Sequence, residues 1–356
     1  MTRALKAAAV AGAVLVARRA LRARISRSPL WPLPALAEPV SGHAPRRRLR
    51  ARIASRTEPA QGVVRLVLES PELPEWTPGA HVDVLLPSGL VRQYSLCGDP
   101  ADRGRYTIAV RLVEDGRGGS REVHDRLAEG GVLELRPPRN RFALEPAASY
   151  VLVAGGIGIT PLLPMVRAAA AAGADWTLLY GGRSRATMPF LPELAALAAS
   201  AGRPDALRVV PEDEAGLPDL AALLAAAAPG ALVYACGPEP LAAAVLAAAP
   251  DPSRVRLERF APASSGGAGD RPFTVELRRS GRTVEVAAGE TALAAVRREL
   301  PDTPYSCGQG FCGTCRQRVL AGPVDHRDGL LTDAEQADSM LLCVSRAREE
   351  RLVLDL

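Results

Sequence analysis

A chain of 356 residues, 47% of them apolar, is too long for one ordinary core and too hydrophobic for global disorder, so two or three folded domains are expected. The formal charge of +5 is uneven: the first 50 residues hold eleven Arg or Lys against the single acid Glu38, a net of +10, which leaves the other 306 at −5. A mildly acidic body argues against nucleic-acid binding, which wants a basic face on a folded domain.

Residues 1–45 form a basic N-terminal extension. Within it Ala7 to Ala17 are uninterruptedly apolar, flanked by Arg3, Lys6, Arg18 and Arg19. Spanning a bilayer takes about 20 such residues, and Arg18-Arg19 stands where a small-residue cleavage site would follow a secretory core. Two readings stay open: a disordered tail or misassigned start, and a basic helix in weak contact with an anionic membrane or a partner.

From 46 to 147 short β-rich runs alternate with turn signals, VVRLVLES, HVDVLLPSG, YTIAVRLVEDG and VLELRPPRN, which predicts a small antiparallel β-barrel. SREVHDRLAEG inside it reads as a helix. From 148 to 262 the rhythm becomes strand then helix: YVLVAGG, WTLLYGG, ALRVVPED, ALVYACG and VRLERF separated by alanine-rich helices. Five apolar strands joined in this way predict a doubly wound parallel α/β sheet. The small-residue run after Phe260 reads as a flexible linker, placed at 263–272. The last segment, 273–356, opens with two alternating strands around Ser280-Gly281 and the helix TALAAVRREL, the start of an α+β domain, and then yields to a cysteine loop.

That loop, SCGQGFCGTC, spaces Cys307, Cys312 and Cys315 as Cys-x4-Cys-x2-Cys, and Cys343 lies 28 residues on. This is plant-type [2Fe-2S] spacing. Gly308, Gly310 and Gly313 permit a backbone to wrap closely around a cluster. A structural zinc site is the alternative, but zinc ribbons favour two Cys-x2-Cys pairs and only one is present. A thiolate-ligated cluster and unpaired Cys97 and Cys236 argue for a reducing, cytoplasmic setting.

At the first strand of the α/β segment, Gly155-Gly156-Ile157-Gly158-Ile159-Thr160-Pro161 runs into a helix. Thr160 is a suitable N-cap and Pro161 a suitable first residue, so a helix N-terminus is offered to a pyrophosphate. Ala235-Cys236-Gly237-Pro238 follows the fourth strand at the same edge, where its glycine leaves room for a nicotinamide; Cys236 alone would read as a buried small residue. No acid follows the second strand until Glu193, and Arg183 and Arg185 could accept a 2′-phosphate or be solvated, so NADH and NADPH both remain open.

A hydride carries two electrons and a [2Fe-2S] cluster accepts one, so a flavin is expected between them. The barrel offers Arg92-Gln93-Tyr94-Ser95-Leu96 for the ring and Gly116-Arg117-Gly118-Gly119-Ser120 for a phosphate. Taken in one order, RQYSL, GGS, PRNRFAL, GGIGITP, ACGP, ERF and CGQGFCGTC resemble the phthalate dioxygenase reductase family, which includes vanillate demethylase reductases. The resemblance covers about residues 46–356.

It implies a flavin barrel, a nicotinamide domain and a C-terminal β-grasp ferredoxin domain. It further implies FMN, with FAD the alternative. Arg92, Tyr94 and Ser95 would hold the flavin ring and ribityl chain, and Gly118, Gly119 and Ser120 its phosphate. Thr160 would lie where the two cofactors meet, and Phe260 would pack near the flavin. The chemistry runs through cofactors, so no catalytic acid or nucleophile is expected and His43, His81, His124 and His326 need no catalytic role. The resemblance implies a monomer that passes electrons to a Rieske-type oxygenase or a cytochrome P450. The segment 273–356 carries thirteen acids and eleven arginines, a balance that does not choose between them. Rival expectations are an FAD-containing hydroxylase-type reductase and a redox-sensing flavin and iron–sulfur module.

Overall fold

The computed structural model describes residues 48–116, 118–260, 269–305, 308, 310, 313–328 and 330–356, which form three larger sheets and one two-stranded ladder. The first sheet holds β1 (Leu49–Ala60), β2 (Val63–Glu69), β3 (Ala80–Leu85), β4 (Val91–Ser95), β5 (Arg105–Arg111), β6 (Val132–Leu135) and β7 (Arg139–Asn140). Its pairs are all antiparallel, in the order β4-β3-β6-β1-β2-β5 with β7 beside β3. Alternation drives it: Leu49, Ala51 and Ile53 are buried while Arg50 and Arg52 between them are exposed. Cys97 N, just past β4, donates to Thr107 O on β5 at 2.9 Å. The two ends of the strand path therefore meet, and the sheet curls around Leu66, Leu68, Val82, Val84, Ile108 and Leu133.

On the opposite face of β3 the alternation places polar groups that are also buried. Asp83, its side chain wholly enclosed, pairs with Arg139 at 2.7 Å and Arg136 at 3.3 Å. Neighbouring His81 is pushed down to about 4 by its burial and by Arg139 and Arg141. The helix α1 (Gly119–Arg126) closes one end of the curled sheet through Val123.

The second sheet is parallel, made by β8 (Ser149–Gly155), β9 (Asp175–Gly182), β10 (Leu207–Pro211), β11 (Leu232–Cys236) and β12 (Val255–Glu258) in the order β10-β9-β8-β11-β12. The connections carry α2 (Ile159–Ala171), α3 (Leu191–Ser200), α4 (Glu212–Ala215), α5 (Leu220–Ala225) and α6 (Glu239–Ala248). Helices on both faces bury both sides of each strand, which is why β11, LVYAC, is buried throughout. This sheet shares a core with the first: Cys97 and Phe142 pack with Leu162 and Met165 of α2. Polar ties cross the same seam. Arg167 donates to the carbonyls of Cys97 at 3.1 Å and Gly98 at 2.6 Å, and the Tyr234 hydroxyl donates to Ala143 O at 3.0 Å.

The third sheet comprises β13 (Phe273–Leu277), β14 (Arg282–Val286), β15 (Arg316–Ala321), β17 (Ser339–Leu341) and β19 (Arg351–Leu354), ordered β14-β13-β19-β15-β17; β16 (Val324–Asp325) and β18 (Arg346–Ala347) pair separately. β13 and β14 form the expected hairpin, and β19 returns parallel to β13. The helix α7 (Ala292–Glu299) is capped by Thr291, which accepts from Ala294 N at 3.0 Å, and buries Leu293 and Val296. The short α8 (Asp333–Gln336) carries a capping box from Thr332 to Glu335. Among the described residues no helix is long and apolar enough to cross a membrane. The extension over 1–45 and most of the linker lie outside the described residues.

Candidate functional site

Pairing of β15 with β17 sets Arg316 opposite Leu341, which carries Cys315, just before β15, and Cys343, just after β17, to one end of the ladder. Leu342 N donates to Cys315 O at 3.3 Å, and both thiols are buried. The Gly310 amide donates to Cys343 Sγ at 3.2 Å. Gly310 takes a left-handed φ of 76°, and a Cβ there would stand 2.7 Å from Val344 Cγ2, so the wrapped loop requires glycine. A backbone N–H turned onto a buried cysteine sulfur stabilises a thiolate, and such soft donors fit an iron–sulfur cluster. Cys307 and Cys312 lie outside the described residues.

In the parallel sheet the strand order reverses between β8 and β11, the switch point at whose carboxyl ends ligands bind. The turns leaving those strands are pressed together. A Cβ on Gly158 would stand 2.1 Å from Cys236 O, and one on Gly155 would stand 3.3 Å from Gly237 Cα and 2.8 Å from Pro238 Cδ. Gly155 and Gly158 thus pack against Cys236, Gly237 and Pro238 as one backbone floor, and Gly156 between them faces open space. The expectation that Thr160 caps the helix is corrected. A 3-10 turn over Gly156–Gly158 runs straight into α2, so Gly158 holds the cap position and Pro161 sits inside the first turn rather than opening it. Thr160 is buried, its hydroxyl donating to Ile157 O at 3.0 Å.

The two motifs of the curled sheet also meet. Arg92 on β4 lies over the start of α1, where a Cβ on Gly119 would collide with its side chain. Gly118 caps α1 at φ 77° and has no side chain to satisfy the first-turn amides. A guanidinium above uncapped helix amides is an anion cradle, of a kind that fits a flavin phosphate. Ser120 Oγ accepts from Val113 N at 3.1 Å, which ties the incoming loop to the helix. Tyr94 packs against the core of the curled sheet, and burial holds its phenol above the ordinary range and therefore protonated.

Where the curled sheet meets the parallel one, Ser95 Oγ lies 3.4 Å and Cys236 Sγ 3.9 Å from the same Glu258 Oε2, both as donors. Desolvation pushes the Glu258 carboxyl up to about 7 against the lowering effect of those donors. Burial first, then the Glu258 charge, raises the Cys236 thiol well above its usual value, so it is a neutral donor. Glu258 is the residue that reading the sequence missed: the ERF motif drew attention to Phe260 alone. Phe260 follows β12 and remains 41% exposed.

Two family profiles match the chain. One is described as an oxidoreductase NAD-binding domain, over residues 152–246, and one as a 2Fe-2S iron-sulfur cluster binding domain, over residues 275–348. The chain is 46% identical to phenoxybenzoate dioxygenase subunit beta of Ectopseudomonas oleovorans over 78% of its own length and 87% of that protein. It superposes on phthalate dioxygenase reductase, described as a modular structure for electron transfer from pyridine nucleotides to [2Fe-2S], with TM-score 0.63 and 36% identity, covering 87% of this chain and 98% of that one. An intact type IV self-sufficient cytochrome P450 monooxygenase gives TM-score 0.67 and 38% identity; 93% of this chain is covered but only 45% of that one.

Proposed function

The chain belongs to the phthalate dioxygenase reductase family, and we propose that it takes electrons from NADH or NADPH and delivers them singly to a separate oxygenase. The observation that carries this reading is the seam at which Ser95, Cys236 and Glu258 meet beside the glycine floor of the switch point. A bound flavin supplies the exchange between a two-electron donor and one-electron carriers, and a [2Fe-2S] cluster supplies the outgoing electron.

The protein's own contribution is positional. Gly155 and Gly158 let the turn after β8 close against Gly237 and Pro238, and Gly156, with open space where a Cβ would be, would let the dinucleotide approach the backbone, with Pro161 behind it. Cys236 and Thr160 line the place where the two ring systems would meet. Arg92 with Gly118, Gly119 and Ser120 would take a flavin phosphate; one such cradle suits FMN better than FAD. Tyr94 would face the flavin ring, Ser95 would reach it from the strand end, and Phe260 would shield it. Glu258, titrating near neutrality, can hold a proton for Ser95 Oγ or release it. Cys307, Cys312, Cys315 and Cys343 would ligate the cluster.

On this reading residues 46–147 are a flavin barrel, 148–262 a nicotinamide domain, 263–272 a linker and 273–356 a β-grasp ferredoxin domain. Buried unpaired thiols at Cys97 and Cys236 support a cytoplasmic setting. The acceptor is a Rieske-type oxygenase or a cytochrome P450. The test is steady-state NADH and NADPH oxidation with a one-electron dye, then with a Rieske oxygenase component and a P450 in separate arms. Turnover with the dye and one protein acceptor is expected; a flavin that oxidises neither nucleotide contradicts the proposal.

A further inference from the structure

Immediately before β13, the chain enters the third sheet's domain through a partly buried charge network that the electron path does not use, in which Arg327 keeps a third of its side chain exposed and also pairs with Asp325. Asp270, 7% exposed at its side chain, receives both Arg327 Nη atoms, at 2.9 and 2.6 Å. Arg346, 3% exposed, holds its Nε 3.6 Å from the same carboxylate. Arg346 also donates to the carbonyls of Arg271 at 3.0 Å and Ala287 at 3.1 Å, and its guanidinium stacks 5.0 Å from the Phe273 ring. Burial lowers the Arg346 pKa, whereas the Asp270 hydrogen bonds raise that of Arg327.

Arg346 follows Cys343 by three residues, and Arg327 is followed by Asp328, which touches the cysteine loop at Gly310. Arg327 N donates weakly to Ser345 Oγ at 3.4 Å, two residues past Cys343. Asp328 Cα stands 3.3 Å from where a Cβ on Gly310 would be, so the 326–328 segment backs the loop whose Gly310 amide reaches Cys343. Buried charges are costly, and well-packed apolar groups in their place are often neutral or stabilising. What such a network supplies is a single geometry, through bidentate bonds that fix both angle and distance.

We propose that Asp270 is a positioning residue for electron transfer. With Arg327 and Arg346 it fastens the chain's entry into the iron–sulfur domain to the segment behind the cluster loop, so that the two move as one body. This rests on the function proposed above. Loosening the fastening leaves hydride delivery unchanged and slows the passage of electrons from flavin to cluster.

The test is anaerobic stopped-flow mixing of the holoprotein with NADH, following flavin and cluster bands separately, in the unsubstituted protein, Asp270→Asn and Arg327→Gln. The second variant leaves Arg346 to neutralise Asp270 and so protects the fold. Amide hydrogen exchange over 269–275, 324–331 and 149–155 is measured alongside. The expected result is an unchanged flavin phase with a cluster phase slowed about fivefold in both variants, within the range for coupling through a packed network. Exchange should rise together over 269–275 and 324–331 but not over 149–155. An unchanged cluster phase, or slowing only in proportion to lost cluster content, overturns the proposal. Failure of NADH to bleach the flavin of the unsubstituted protein would sink the functional reading instead, while the paired rise in exchange would still be read by itself.

Discussion

Adding one methyl group at Gly158 tests whether the pressed turns at the switch point are the working floor of the site. Gly158 has φ −61°, a conformation any residue adopts, so Gly158→Ala carries no backbone strain and its effect is purely steric. The new Cβ would stand 2.1 Å from Cys236 O, 2.5 Å from Cys236 C and 2.9 Å from Gly237 N. Ordinary contact begins at 3.4 Å, so the turns after β8 and β11 must part by about 1.3 Å, and the obstacle is backbone that no rotamer change relieves. Overpacking of this kind costs roughly 1–3 kcal/mol. A 1 Å misplacement of reacting partners costs on the order of 10²-fold in rate. The assay is the NADH-driven flavin bleaching rate, with the thermal midpoint measured in parallel. Gly289→Ala, where no atom lies within 4 Å of the new Cβ, is the control and should stay within ~0.5 kcal/mol. A Gly158→Ala protein with unaltered bleaching and midpoint would refute the packing argument.

Removing a cluster thiolate in Cys343→Ser should abolish the iron–sulfur absorbance yet leave flavin bleaching by NADH near the unsubstituted rate; loss of both phases would mean the sites are not separable. Asp83→Ala strands Arg136 and Arg139 without their buried carboxylate and should cost roughly 3–5 kcal/mol by urea denaturation; a loss under ~1 kcal/mol would contradict the buried ion triad. His81 and Glu258 pull stability in opposite directions with pH. His81, lowered from 6.5 to about 4, gives stability that is present above pH 6.5 and is lost as pH falls toward 4. Glu258, raised from 4.5 to about 7, gives stability present below pH 4.5 that is lost as pH rises toward 7. The two oppose each other between about pH 4.5 and 6.5. Glu258→Gln should therefore make stability fall more steeply on acidification in that window, as read by denaturant midpoints. The same variant should remove an inflection near pH 7 from the flavin bleaching rate.

The parallel sheet was legible because strands buried on both faces appear as unbroken apolar runs: YVLVAGG and ALVYACG announce themselves. The cysteines were legible because cluster ligation dictates their spacing. β1 was not, since its buried positions include the small Ala51 and its exposed ones are arginines continuous with the basic extension. β4 passed as a cofactor motif rather than a strand, because RQYS is only half-buried and its apolar alternation is slight. Thr160 looked like a cap because Ser and Thr favour that position, but the 3-10 turn begins the helical path earlier. Glu258 escaped notice for a different reason. Its partner Ser95 is 163 residues away, and only the packing of two sheets against each other puts a carboxyl beside that hydroxyl and desolvates it.

The most direct test of the central claim is an anaerobic optical titration of the holoprotein with NADH and then NADPH, following flavin and iron–sulfur bands together. The account predicts that one nucleotide bleaches both bands, the flavin first and the cluster after it. A colourless protein that binds only zinc, or a flavin that bleaches while an intact cluster stays oxidised, would contradict it.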